Sequence, residues 1–321
     1  MLDLDLIQSP QQVNSLSLAD SCDEWLQLNR SRIKASSYVK YWTILERHIK
    51  PHFGGENMEI PDAVAIEEFS HFLLSQKELS PKTVRDILAV LRSVLRYAQK
   101  HYAIGQPSVE IVYPRLAKAR MRILSRDEQM RFTACLLQDM DPCKFGIMLS
   151  MLTGLRIGEI CALKWGNISL ENSTLSVEFT MQRLQDPGKD SQKTRVLITS
   201  PKSDTSCRII PLTAFTTSLC RQMQCAEPDA YVLTGSITHY MEPRLLQYKL
   251  DRYTKACDLD GVHFHTLRHT FATRCIEVDF EIKSLSEILG HSSPKITLER
   301  YVHPSMDIKR SNMNKLTAIG F

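Results

Sequence analysis

The chain has 321 residues, of which 43% are hydrophobic, 24% charged and 7% aromatic, and it carries a net charge of +4. At roughly 150 residues per domain this is two globular domains' worth of chain, which excludes collagen-like, disordered and mucin-like polymers. No run approaches the roughly 18 consecutive apolar residues of a membrane span, and the start Met1-Leu2-Asp3-Leu4-Asp5 lacks the basic and apolar segments of a secretory signal. Nine cysteines, an odd number with no CxxC pair, read as reduced thiols rather than a disulfide framework or zinc site. A soluble, cytoplasmic protein is expected.

Residues 1–14 are expected as a tail, disordered or strand-forming. From Leu16 to Arg30, Leu18, Cys22, Trp25 and Leu26 recur at helical spacing. Ser37 is placed to cap a second helix over 38–49, ending before Pro51. A third helix is predicted over 62–74. Ser80-Pro81 opens a fourth, reaching about residue 102, with Val84, Ile87, Leu88, Leu91, Val94, Leu95 and Ala98 on one stripe. These make a four-helix domain over 15–104. Residues 105–122, with Pro107, Pro114 and several basic side chains, are expected to be a linker.

A second domain, 123–321, opens at Ser125-Arg126-Asp127-Glu128, a capping-box pattern. Helices follow to about Trp165, broken at Thr153-Gly154. Over 168–212 the period changes. Ile168, Leu170, Leu175 and Val177 flank Asn172-Ser173 as in a hairpin. Residues 196–198 and 208–210 flank a polar turn at Ser203-Asp204, and a small antiparallel sheet is expected. Helices then return. The fold class is mainly α with a small antiparallel β-sheet, a helical domain followed by an α+β domain.

Charge is concentrated. Between Ser80 and Arg122 stand Lys82, Arg85, Arg92, Arg96, Lys100, Arg115, Lys118, Arg120 and Arg122, opposed only by Asp86 and Glu110. Such a band fits a polyanion footprint, or a solvated helix face followed by a basic linker.

Four segments bear on chemistry. Thr153-Gly154-Leu155-Arg156-Ile157-Gly158-Glu159 puts a guanidinium and free amides at a helix start. His265-Thr266-Leu267-Arg268 places an imidazole and a guanidinium on neighbouring helix positions, with Leu267, Phe271 and Cys275 as the buried stripe and Arg268 about 100° from it. His263, His265 and His269 have no Cys or carboxylate at ligand spacing, so no metal site is expected. Leu289-Gly290-His291 ends one helix before Ser293-Pro294 begins the next, and Tyr301 follows ten residues beyond His291. Taken singly, each has a plainer reading: a solvated arginine, a capping histidine, a packed tyrosine.

In this order and spacing, the four segments resemble the tyrosine recombinase, or phage integrase, family, with its Xer-type and transposon integrases. Lys202 through Leu212 resembles the family's β-hairpin lysine segment. Ser80-Pro81-Lys82-Thr83-Val84, and Tyr41 through Pro51-His52-Phe53-Gly54, resemble its core-binding domain. The resemblance covers about residues 15–305 and implies a SAM-like core-binding domain ahead of a catalytic domain. It implies Tyr301 as the nucleophile on a DNA phosphodiester, Arg156 and Arg268 as donors to its nonbridging oxygens, and His291 as a further donor. His265 is implied as general base or as a donor to a nonbridging oxygen, and Lys202 as the acid that protonates the departing 5′ oxygen. Glu159 is expected to brace the site. The reaction requires no cofactor, metal or ATP, because a 3′-phosphotyrosine keeps the bond energy. Partners implied are double-stranded recombination sites, short inverted repeats, bound by a homotetramer on two DNA sites, with the residues after Tyr301 forming a short helix that docks on a neighbour. Lys82, Arg85, Arg92, Arg96, Arg115, Lys118, Arg120 and Arg122 are the expected DNA-binding side chains. A type IB topoisomerase-like nicking-rejoining enzyme and a non-catalytic helical DNA-binding regulator are the alternatives.

Overall fold

The computed structural model describes residues 17–53, 60–102, 110–117, 121–187, 194–200, 206–302, 310 and 313–314. The expected tail at 1–14 lies outside them, as do Ile308 and Leu316; Met313 is helical. The chain divides into two compact units, Met1–Ala119 with Leu184–Thr194, and Arg120–Arg183 with Arg195–Phe321.

In the first unit Ser17 caps α1 (Leu18–Asn29), its side chain accepting from the Asp20 N–H. α2 (Ala35–Ile44) starts three residues before the expected helix, because the chain leaves extended backbone at Lys34, and Ser37 lies inside it. Nor does the helix stop before Pro51. It passes through a π-turn at Leu45–Ile49 into α3 (Lys50–Phe53). A proline lacks an N–H and crowds the carbonyl four residues back. The π-turn, in which the Lys50 N–H reaches Leu45 O, widens the helix immediately ahead of the ring. Leu45, Ile49 and Phe53 remain buried throughout. Asp62 caps α4 (Ala63–Ser75), and Ser80 accepts from the Thr83 N–H at the start of α5 (Pro81–Tyr102). The α5 stripe read from the sequence is buried against Leu18, Cys22, Phe53 and Phe69.

Part of the expected linker is docked on this unit. Ile111 is buried in the first core, and Arg85 lies 5.1 Å over the Tyr113 ring while donating to Pro114 O at 3.1 Å. An isoleucine and a tyrosine between basic residues supply the apolar anchor.

The second unit opens with the capping box as read. Glu128 N–H donates to Ser125 Oγ, and Ser125 N–H to Glu128 Oε2, at the head of α6 (Arg126–Leu137). α7 (Pro142–Thr153) is buried along most of its length and forms the centre of the core. After α8 (Ile157–Ala162), β1 (Ile168–Ser169), β2 (Thr174–Val177) and β5 (Arg208–Pro211) form a sheet ordered β1-β2-β5. β2 is antiparallel to both neighbours, and Leu175 opposes Ile210. β3 (Thr180–Gln185) and β4 (Thr194–Thr199) make a separate two-stranded sheet. The expected pairing of β4 with β5 is therefore corrected. Ile210 is drawn to Leu175 in the main core, whereas β4 has no fully buried residue to hold it there. α9 (Ala214–Met223), α10 (Pro243–Lys255), α11 (Phe264–Glu277), α12 (Ile282–Leu289) and α13 (Pro294–Tyr301) complete the unit. Among the described residues no helix is long and apolar enough to cross a membrane.

Candidate active site

Gly154 ends α7 in left-handed backbone, φ 69°, and a Cβ there would lie 2.7 Å from the Phe271 ring and 2.9 Å from Leu289. Only glycine serves both demands. The turn it makes sets Arg156 at the N-cap of α8. Glu159 accepts the Arg156 backbone N–H at 2.9 Å and its guanidinium at 2.7 Å, and Arg156 also donates to Gly290 O.

Glu159 serves a second arginine. Arg208 on β5 forms a bidentate pair with both its oxygens at 3.1 and 2.9 Å, and donates to Ile288 O and Ser206 O. Both side chains are almost wholly buried. Burial alone would raise the Glu159 carboxyl; the pairing with Arg208, then Arg156, overrides it and holds it at about 2. Sequence reasoning gave Arg208 no role, although it stands in the segment quoted for Lys202. Its signal was an arginine flanked by strand residues of the buried sheet.

Arg268 is buried, 4% exposed, although it lies off the stripe formed by Leu267 and Cys275. Gly154 O at 2.7 Å and Leu289 O at 2.5 Å take its two terminal nitrogens, so the backbone, not solvent, satisfies it. Burial, then the nearby Arg156, lowers its pKa. Gly290, φ 62°, ends α12, with Arg208 Nη1 3.0 Å from where a Cβ would sit. His291 follows, buried, its Nδ1 2.8 Å from the Thr297 hydroxyl. Burial, then Arg268, takes the His291 imidazole down to about 3.

Tyr301, the last residue of α13, is 7% exposed, with its ring parallel to His291 at 6.3 Å between centroids. Its hydroxyl lies 2.8 Å from Nδ1 of His269. Burial raises the phenol pKa, partly offset by Arg268 and then Arg300. His265 is exposed, and burial of part of its ring, then Arg268, lowers its pKa. A cavity of about 450 Å³ is lined by Arg156, His265, Arg268, His269, His291 and Arg300, with no carboxylate in its lining. Five of the six expected catalytic residues thus stand at or beside one cationic cavity. Lys202 lies outside the described residues, between β4 and β5. His269 and Arg300 were not anticipated in the site. Among the described residues no three His, Cys, Asp or Glu side chains cluster as a metal centre. A larger groove of about 630 Å³ between α6 and α11 carries no comparable convergence; its Arg274 is committed to Gln129, Leu124 O and Glu277.

Of the expected DNA-binding side chains, Lys82, Arg92, Arg96 and Arg115 are exposed. Lys82, Arg85, Arg92 and Arg96 fall within an arc of about 80° on α5, opposite its buried stripe. Arg85 is half-buried against Tyr113 and Pro114, and Arg122 is bonded to Glu128 and Ile123 O. Lys118 and Arg120 lie outside the described residues.

Residues 123–307 match the model of the phage integrase family, and residues 17–69 that of the phage integrase N-terminal SAM-like domain. A tyrosine recombinase XerC-like protein of Caldanaerobacter subterraneus subsp. tengcongensis is 26% identical over 312 residues, covering 90% of this chain and 79% of that protein. The ICEBs1 integrase of Bacillus subtilis is 24% identical, covering 88% and 78%. Among solved structures, the Tn1549 transposon integrase in complex with circular intermediate DNA matches 94% of this chain and 100% of that one, at TM-score 0.74 and 19% identity. A lambda integrase tetramer bound to a Holliday junction matches 90% and 78%, at TM-score 0.65 and 19% identity. With a helical SAM-like unit, a mixed catalytic unit and this motif order along one chain, the protein belongs to the phage integrase family of tyrosine recombinases.

Proposed function

We propose that the protein is a site-specific DNA recombinase that cuts and rejoins strands through a 3′-phosphotyrosine and a Holliday junction. The observation that carries this reading is the carboxylate-free cavity, lined by Arg156, Arg268 and His291 from three separated segments, with the Tyr301 hydroxyl bonded to a histidine of its wall.

A phosphodiester is anionic, and its pentacoordinate transition state places more charge on the nonbridging oxygens. Planar guanidiniums held in place before the substrate arrives meet that demand. Arg268 is held by two carbonyls and Arg156 by Glu159, so neither must be ordered during the reaction. His291 Nδ1 is engaged by the Thr297 hydroxyl, which leaves Nε2 as the nitrogen available to the phosphate; in the tautomer where Thr297 donates, Nε2 carries the hydrogen to donate. Tyr301 attacks phosphorus. The P–O5′ bond breaks as the bond from Tyr301 to phosphorus forms, the phenol proton passes to His265, and Lys202 protonates the departing 5′ oxygen. The next strand's 5′-hydroxyl attacks the phosphotyrosine and completes the exchange. The exposed α5 face of Lys82, Arg92 and Arg96, with Arg115, follows the phosphate backbone of duplex sites. A homotetramer pairing two sites is part of the same proposal.

The test is covalent capture. A duplex library with a randomised central segment is incubated with the protein, and adducts are precipitated with potassium dodecyl sulfate and sequenced. Adducts converging on one inverted repeat, and absent with Tyr301→Phe, support the reading. Adducts that persist with Tyr301→Phe overturn it. Exchange between two selected duplexes separates a recombinase from a topoisomerase, which reseals only its own strand.

A further inference from the structure

We propose that His269 is the positioning residue of the nucleophile: its neutral imidazole accepts the Tyr301 hydroxyl hydrogen at Nδ1 and fixes the phenol oxygen beside the arginine cavity before DNA arrives. This rests on Tyr301 being the nucleophile.

The direction of the bond follows from what surrounds the phenol. The charged groups that act on the phenol are the cations Arg268, Arg300 and Arg156, which draw the electron-rich oxygen towards themselves and leave the hydrogen pointing away. The phenol proton then needs an acceptor, and His269 Nδ1 stands 2.8 Å away. An imidazole that accepts at Nδ1 carries its hydrogen on Nε2 and is uncharged. The surroundings keep it so. The groups facing His269 are His265, one turn away with ring centroids 6.1 Å apart, and the cations Arg300 and Arg268; no carboxylate lines the cavity. Burial first, then these neighbours, lowers its pKa to about 4. His291 lies parallel to the phenol ring at 6.3 Å between centroids, with its own Nδ1 committed to Thr297. The tyrosine is thus held in two ways, by the parallel ring and by His269, until the phosphate enters and the phenol turns its hydrogen to His265.

His269 and His265 are distinct in this scheme. His265 is exposed and has the freedom to meet a phosphate oxygen or take a proton in the loaded site. His269 is half-buried and already engaged. On acidification, protonated His269 loses the Nδ1 lone pair and lets go of the phenol, so His269 adds its own limb near pH 4 to the one His265 contributes as base.

The side chain of asparagine places an acceptor oxygen near the position of Nδ1 but does not titrate, which makes His269→Asn the discriminating variant. Adduct formation is followed in a single turnover on the duplex selected above, with thermal melting and DNA affinity measured alongside. His269→Ala is expected to slow adduct formation about 10- to 100-fold at unchanged DNA affinity, the range of a misplaced reacting group. His269→Asn is expected to recover most of that loss and to lose the limb near pH 4 while keeping the contribution of His265. Without DNA, labelled imidazole nitrogens should report His269 as the Nε2–H tautomer, with its Nδ1 signal moved by Tyr301→Phe. An unaltered rate in His269→Ala, a limb near pH 4 surviving in His269→Asn, or an Nδ1 signal indifferent to Tyr301→Phe overturns the proposal. The tautomer measurement needs no DNA, so it separates failure of this proposal from failure of the recombinase reading.

Discussion

Replacing Glu159 by glutamine removes the one carboxylate that Arg156 and Arg208 share. Its carboxyl sits at about 2 against an ordinary 4.5, a difference equivalent to about 3 kcal/mol at neutral pH. Breaking a buried ion pair from one side costs about 3–5 kcal/mol, since the surviving charge stays buried; here that charge is Arg208, with a side chain 5% exposed. For a unit of this size each kcal/mol moves Tm by about 2–4 °C, so Glu159→Gln should lower the second unit's melting by about 6–12 °C. Scanning calorimetry at pH 7 measures this, and the first unit's transition, which contains neither residue, is the internal control. Because the folded carboxyl is depressed, its stabilisation is complete above the unfolded value and disappears as pH falls through the folded one. The gap between wild type and variant should therefore narrow from about pH 5 towards pH 2. A variant melting within about 1 °C of wild type at pH 7, or a gap constant in acid, would refute Glu159 as the buried counter-charge.

A fragment of residues 1–117 should melt above one of residues 1–104, because Ile111 is buried in the first core and such burial contributes about 1.5–3 kcal/mol; equal melting would refute that docking. Gly154→Ala should cost about 2–5 kcal/mol in urea unfolding, combining a left-handed backbone with overpacking against Phe271. Gly235→Ala, at φ 64° with open space around it, should cost only the backbone component, about 1–2 kcal/mol, and equal losses at the two sites would remove the packing argument. Lys202→Ala should slow cleavage of normal DNA by about 10²–10⁴-fold but act nearly as wild type when the 5′ bridging oxygen is sulfur, which departs without a proton. Arg156→Ala should remain impaired on both substrates; a Lys202→Ala defect indifferent to sulfur would move the proton donor elsewhere.

Local chemistry was legible in the sequence. Ser125 with Glu128, Ser80-Pro81 and the apolar stripe of α5 each state their structure within a few residues, and the structure has them as read. What failed needed backbone geometry or partners that residue types alone do not state. Pro51 reads as a helix stop until a π-turn is seen to make room for it. β4 and β5 flank one polar turn, so a hairpin was the natural expectation, yet the burial of Ile210 against Leu175 took β5 elsewhere. Helical angle placed Arg268 off the buried stripe, and it is buried nonetheless, because carbonyls at two helix ends, Gly154 and Leu289, converge on it. The order of motifs along the chain identified the residues that line the cavity. It held no sign of Arg208's bridging geometry or of His269 beside Tyr301, both of which depend on three-dimensional closure.

Tyr301 belongs to a small hydrophobic cluster with Ala272, Cys275, Leu285 and Leu289. On the proposed chemistry the same side chain is packing material in the resting protein and reagent in the loaded one. The seat where α11, α12 and α13 meet therefore aims the phenol by shape as well as by hydrogen bonding, and a substitution that loosens Leu285 or Leu289, neither of which touches a phosphate in the proposed chemistry, would cost adduct formation along with stability.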